Sequence, residues 1–222
     1  MSASTDVPIE IETGPAPGRA VIWLHGLGAD GSDFVPVVEE LDLPAAAIRF
    51  VFPHAPLQPV TINQGYVMRA WYDIAHDEFG RREDERGVRA SQHTLEALIA
   101  HEAERGIPPE RVVLAGFSQG GAIALQTGLR HPQRLAGIMA LSTYVPLSDT
   151  LAAERDAANV ATPIFMAHGV HDDVIPLQVA RRSHALLENL DYPVEWHEYA
   201  MPHSVCAEEI RDIGAWLRKV LA

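Results

Sequence analysis

The stretch Val112-Val113-Leu114-Ala115-Gly116-Phe117-Ser118-Gln119-Gly120-Gly121 decides how this chain is read. Its first four residues form a continuous apolar run, as expected of a strand covered on both faces. A helix is expected over 118–130. Between the two stands Gly116-x-Ser118-x-Gly120, a G-x-S-x-G pattern. In a strand–turn–helix context this pattern marks a nucleophilic serine raised on a sharp turn. Glycines two residues to either side leave room for that turn, and Gly121, Ala122 and Ala124 let the helix approach the sheet closely. The same serine meets the positive end of the helix dipole. A Gly-rich turn with an N-capping serine is the plainer alternative. The strand before and the helix after favour the nucleophile.

Outward from this motif the chain alternates short apolar runs with helical segments. Strands are expected at 20–24, 48–52, 112–115, 138–141 and 164–167, and a half-exposed one at 193–199, where Val194 and Trp196 alternate with Glu195 and His197. Helices are expected at 33–41, 84–104, 118–130, 176–189 and 204–221. In the last, Ile210, Ile213, Trp216, Leu217, Val220 and Leu221 recur at three- and four-residue steps and share one face. Such alternation implies an α/β protein, a mostly parallel sheet with helices on both faces. Its chemistry belongs in the loops beyond the carboxyl ends of the strands. The exception is the stretch from Pro53 to about Gly80, too long for an ordinary connection and too apolar for simple disorder. From His76 to Arg86 the charges mix, as on a solvated surface.

Composition sets the bounds. The 222 residues favour one domain over 1–222. A formal charge of −13 argues against a nucleic-acid binder, which would need clustered Lys and Arg. Cys206 is the single cysteine, so neither an internal disulfide nor a cysteine-based zinc site is possible. Met1 to Glu12 shows no signal peptide, and no apolar stretch reaches the ~18 residues of a membrane-spanning helix. A soluble, cytoplasmic protein without stable membrane insertion is expected.

A serine hydroxyl needs a base, and the base needs an orienting group. With this motif they follow in the order Ser, Asp or Glu, His. After the strand 164–167 comes His168-Gly169-Val170-His171-Asp172-Asp173, where either aspartate could serve and either could cap the next helix. After 193–199 comes Met201-Pro202-His203-Ser204, and His203 is the histidine that stands in a strand-to-helix loop there. His168, His171, Asp172 and Asp173 lack helical i, i+4 ligand spacing, a weak metal signal, and no metal or cofactor is expected. Cys206, a turn beyond His203, reads as inert. An oxyanion needs N–H donors. The N–H of Gln119 supplies one, and that of Leu27, in His25-Gly26-Leu27-Gly28-Ala29-Asp30-Gly31, the other. Gly26-x-Gly28-x-x-Gly31 also matches the bare dinucleotide pattern, but no acidic partner follows ~20 residues on. His25 reads as structural.

Leu24-His25-Gly26-Leu27-Gly28-Ala29-Asp30-Gly31, Pro53-His54-Ala55-Pro56, Ala70-Trp71-Tyr72-Asp73, Gly116-Phe117-Ser118-Gln119-Gly120-Gly121 and His168-Gly169-x-x-Asp172-x-x-x-Pro176 together resemble one family. It is the small α/β-hydrolases of the carboxylesterase/phospholipase, or acyl-protein thioesterase, type. The likeness runs in order through nearly the whole chain. Val60-Thr61-Ile62-Asn63 and Met68-Arg69-Ala70-Trp71-Tyr72-Asp73-Ile74 look like its bacterial carboxylesterase branch. The resemblance implies an α/β-hydrolase fold without a separate cap, a Ser118–Asp172–His203 triad, and Leu27 and Gln119 as oxyanion donors. It chooses Asp172, four residues before the proline, over Asp173. The 53–80 segment resembles the family's substrate-covering loop. Trp71 and Leu57 in that loop, and Val174 beside Asp172, are the expected substrate contacts. Ser32 and His54 depart from the family pattern without touching the triad.

The expected activity is hydrolysis of carboxylic esters with short to medium acyl chains through an acyl-enzyme, rising from acid toward neutral pH as the base loses its proton. The alternatives are an acyl-protein thioesterase or lysophospholipase, and, further off, a non-catalytic binding module. The partner expected is a small ester or thioester substrate. A homodimer is plausible by family likeness, though no motif shows it.

Overall fold

The computed structural model describes residues 7–43, 47–77 and 80–222. The chain opens with β1 (Ile9–Glu12), β2 (Arg19–Leu24), α1 (Val37–Glu40) and β3 (Ile48–Phe52). Two hairpins follow, β4 (Leu57–Val60) with β5 (Tyr66–Arg69), and β6 (Ile74–Asp77) with β7 (Gly80–Glu83). Next come α2 (Glu85–Glu104), β8 (Val112–Phe117), α3 (Gln119–Gly128), β9 (Gly137–Leu141) and α4 (Ser148–Glu154). The chain ends with β10 (Ile164–Gly169), α5 (Leu177–Asn189), β11 (Val194–Tyr199) and α6 (Ala207–Val220).

Seven strands form one sheet in the order β1-β3-β2-β8-β9-β10-β11. All neighbours are parallel except β1, which runs antiparallel to β3 with Ile9 opposite Phe52. Alternate residues of the central strands feed two cores. Ile22, Leu24, Leu114 and Ile138 face Val88, Leu95 and Ile99 of α2, Ile123 and Leu125 of α3, and Leu187 of α5. Val21, Trp23, Val113, Met139 and Phe165 face Val37 and Val38 of α1 and Ile213, Trp216 and Leu217 of α6. Burial on both faces is why these strands read as unbroken apolar runs. This is the α/β-hydrolase architecture, with β8 central and the loops after β2, β8, β10 and β11 gathered at one end of the sheet.

The expected elements differ from the observed ones in three places. The helix expected over 33–41 is only α1, because Pro36 has no N–H to give an intrahelical bond and sits at its N-cap. The long segment after Pro53 is not a plain loop: the β4–β5 hairpin and a short 3-10 turn at Thr61–Asn63 organise it. β1, the β6–β7 hairpin and α4 are not expected from the sequence, being too short for periodicity to reveal. Of the solvated surface expected for 76–86, residues 78 and 79 lie outside the described residues, as do residues 1–6 of the N-terminal stretch.

Candidate active site

Ser118 stands between β8 and α3 with φ 55° and ψ −120°. An L-residue in this left-handed region carries strain of about 1–3 kcal/mol. The surroundings hold it there. The Ser118 N–H donates to Leu141 O at 2.8 Å, and the Thr143 hydroxyl donates to Ser118 O at 2.6 Å. The flanking glycines are required by contact: a Cβ on Gly120 would lie 2.5 Å from Leu24 O, and one on Gly116 2.3 Å from the Gly120 carbonyl carbon.

His203 Nε2 lies 2.9 Å from Ser118 Oγ, and His203 Nδ1 lies 2.6 Å from Asp172 Oδ2. A carboxylate only accepts, so Nδ1 carries the proton and Nε2 accepts from the serine hydroxyl. Phe117 packs against the imidazole at 4.7 Å between ring centroids. The Asp172 side chain is wholly buried. Its Oδ1 accepts from the Val174 and Ile175 N–H groups at 2.9 and 2.8 Å, leaving Oδ2 for the histidine. Asp173 is exposed.

His168, at the end of β10, is fully buried behind this pair. Its Nε2 is 2.8 Å from Ile175 O and 3.3 Å from Asp172 Oδ2, two acceptors, so Nε2 bears the proton. Burial lowers its pKa, which keeps the ring neutral. His168 thus pins the loop that holds Asp172. Among the described residues no group of His, Cys, Asp and Glu could hold a metal ion.

Leu27 and Gln119 both border the cavity that opens above Ser118. Gln119 is the first residue of α3, so its N–H has no intrahelical acceptor. The Leu27 loop is tied down by two histidines. His25 Nε2 accepts from the Ala55 N–H at 3.0 Å, so its Nδ1 donates to Gly26 O at 2.7 Å. Burial drives the pKa of His25 down to about 4. His54 Nδ1 accepts from the Gly31 N–H at 3.1 Å.

The cavity measures about 380 Å³. Its walls are largely apolar, with Ile62, Ile74, Phe117, Val174 and Ile175. Of the three expected substrate contacts, Val174 lines it, whereas Trp71 and Leu57 are not among the lining residues. Trp71 is buried, with Nε1 donating to His25 O at 2.9 Å and its N–H to Gln119 Oε1 at 2.7 Å. Its bulk braces the loop that carries Leu27. Leu57 is 65 % exposed on β4. Its neighbours in sequence supply the contacts instead: Ile62 and Asn63 reach the cavity because Asp73 holds their turn, accepting from the Thr61 N–H and hydroxyl at 2.7 and 2.5 Å. Tyr72 and Tyr144, their hydroxyls 2.9 Å apart, add a polar patch to the wall. Sequence reasoning missed these residues. Asp73 stood in the quoted Trp71-Tyr72-Asp73 motif, but its partner twelve residues back gives no local signal.

A serine on a strained strand–helix turn, a histidine in reach of it and a buried acid behind the histidine define a serine hydrolase of the α/β fold. The model of the phospholipase/carboxylesterase family matches residues 9–221, and the chain belongs to that family. It is 40 % identical to an acyl-protein thioesterase 1 of Mycosarcoma maydis over 237 aligned positions, covering 100 % of this chain and 99 % of the relative. It is 38 % identical to one from Gibberella zeae, with 100 % and 98 % covered. Among solved structures, Zea mays acyl-protein thioesterase 2 superposes with a TM-score of 0.84 at 26 % identity, with 97 % and 99 % of the two chains covered. These relatives are fungal and plant proteins. The likeness to a bacterial branch read from 60–63 and 68–74 therefore gives way, and the resemblance stands at the level of the family.

Proposed function

We propose that this chain cleaves acyl thioesters, and with them oxygen esters, through an acyl-serine intermediate. The observation that carries the reading is the hydrogen-bonded line Asp172–His203–Ser118 at the floor of an apolar cavity. In the first half-reaction Ser118 Oγ attacks the acyl carbonyl while His203 Nε2 takes its proton. Negative charge on the carbonyl oxygen is met by the Leu27 and Gln119 N–H groups, each such donor being worth about 3–4 kcal/mol. The C–S or C–O bond then breaks, and the imidazolium returns the proton to the departing thiol or alcohol. Water, deprotonated by the same imidazole, releases the acid and restores the serine. Asp172 keeps His203 in the working tautomer throughout.

The thioester reading is supported by the printed names of the relatives at 38 and 40 % identity. A carboxylesterase for short to medium chains is the second reading, and cavity size favours it. At about 25 Å³ per carbon, the packing of benzene in a protein cavity, the space holds about 15 non-hydrogen atoms. That suits a medium acyl chain with the start of a leaving group. Intact triad geometry speaks against a non-catalytic binding module. Turnover on p-nitrophenyl esters of graded length, set beside S-acylated cysteine peptides of the same lengths, tests the proposal. Comparable or higher kcat/KM on the thioesters supports it. Activity on the oxygen esters alone leaves the carboxylesterase reading. A Ser118→Ala variant that keeps its turnover, or a chain that no fluorophosphonate labels, overturns both.

A further inference from the structure

Among the described residues, one charged side chain outside the triad borders the catalytic cavity. Asp33, in the loop between β2 and α1, lines it on the same wall as Leu27 and Ala29. Asp33 is an exposed residue, so it meets the cavity at the rim, where solvent does. The backbone fixes this position, since the Asp33 N–H donates to Asp30 O at 3.1 Å. Asp30 is itself locked: its carboxylate accepts from the Ser32 N–H at 2.7 Å and the Ser32 hydroxyl at 2.6 Å, bonds that hold it below its usual range and so ionised. Asp173 is exposed but does not line the cavity. Among the described residues no lysine or arginine lines the cavity. Burial and the Asp30 charge push the Asp33 carboxyl above its ordinary value, the response of an acid with no cation beside it.

With a neutral acyl chain in the apolar part of the cavity, a charge at the rim would act on what leaves. We propose that Asp33 is a specificity-determining residue that selects thioesters with a cationic leaving group. The chemical class is an S-acylated cysteine in a peptide flanked by lysine or arginine. Thiols carrying phosphate groups are disfavoured by the same field. This rests on the thioesterase reading above. Two unit charges about 6–8 Å apart at near-aqueous screening, counted once as attraction and once as repulsion, give roughly a tenfold preference for the cationic over the anionic leaving group. Because the rim is exposed, salt should erase it.

The test compares two octanoyl-S-cysteine peptides of equal length, one flanked by lysines and one by glutamates, with p-nitrophenyl octanoate as the uncharged reference. Wild type should show about tenfold higher kcat/KM on the lysine peptide at low ionic strength, falling toward parity at high salt. Asp33→Asn should reduce the ratio severalfold, and Asp33→Glu, which keeps the charge, should preserve it. Equal rates on both peptides overturn the charge selection and leave the thioesterase reading standing. A ratio that survives in an Asp33→Asn protein melting like wild type overturns Asp33 as its source. If neither peptide is cleaved while the reference ester is, the thioesterase reading fails, and the inference falls with it.

Discussion

Asp172 and Asp173 are adjacent in sequence and opposite in circumstance. One is buried with three hydrogen-bonded partners, the other points to water. Asp172→Asn should lower kcat by about 10⁴-fold by removing the acceptor that sets the His203 tautomer, while Asp173→Asn should stay within a few-fold on an uncharged ester. Steady-state kinetics on that ester decides, and the reverse order would reassign the acid. Taken singly, the residues left the pair unresolved, since both suit a helix-capping position and burial is decided by β11 and α6, far along the chain. Two other buried residues give stability opposite pH slopes. His25, lowered to about 4 by burial, binds its proton more weakly folded than unfolded. Its contribution is whole above its ordinary value and is lost as pH falls through the window from about 6.5 to about 4. Glu209 is fully buried, its carboxylate oxygens lack a well-formed hydrogen bond, and burial, offset only in part by the Cys206 amide, pushes it up to about 8. It holds its proton in the folded state, so its contribution to stability is whole below about 4.5 and is lost as pH rises to about 8. Thermal midpoints should show Glu209→Gln flattening the alkaline decline and leaving the acid one. A Gln variant with the wild-type alkaline slope would remove Glu209 as its origin.

At the scale of elements, the junction of β8 with α3 is where sequence and structure agree most closely. Its signal is local: small residues around one serine, with an apolar run before them. The contacts say how little room there is, a Cβ on Gly120 meeting both Leu24 O and His25 O within 2.6 Å. Backbone atoms cannot step aside as a flexible side chain can. Gly120→Ala should cost about 1–3 kcal/mol or more. It should also abolish fluorophosphonate labelling by displacing the serine, a pairing of melt and labelling that a remote destabilising change would not reproduce. The hairpin β4–β5 is the contrary case. Its strands carry Pro59 and mixed polarity, Gly65 stands in the turn, and the two strands pair with each other alone among the described residues, so neither period stands out. What orients it is Asp73, bonded to Thr61 across twelve residues.

At the scale of the whole molecule, the antiparallel edge strand β1 is joined to the body through charge. Arg49 on β3 is nearly buried, 3.0 Å from Glu12 and 2.8 Å from Glu102 of α2, whose side chain is 2 % exposed. Arg105 extends the network from Glu102 at 2.9 Å to Glu10 of β1 at 2.6 Å. Arg49→Leu would leave Glu102 buried with only Arg105 for company, and should cost about 3–5 kcal/mol in chemical denaturation with kcat little changed. A loss below about 1 kcal/mol would mean that Arg105 alone suffices. Only Arg105–Glu102 is a local pair; the other partners lie 37 to 95 residues apart, and charges carry no period, so the network was not readable beforehand.

The clamp between Gln119 and the Trp71–Tyr72 backbone has a consequence for how such a protein can be altered. The Gln119 amide accepts from the Trp71 N–H and donates to Tyr72 O at 2.7 Å, so the covering segment is stitched to the first turn of the helix that follows Ser118. The segment is therefore two pieces with separate fates. The Trp71 amide should exchange with deuterium as slowly as the sheet itself, while the exposed tip around Asn63–Tyr66, held by its own turn bonds, exchanges faster. Grafting the tip from one relative onto another would exchange the wall residues Ile62 and Asn63 alone, whereas a graft cut beyond Ala70 would carry Trp71 and its bond to Gln119 along with it.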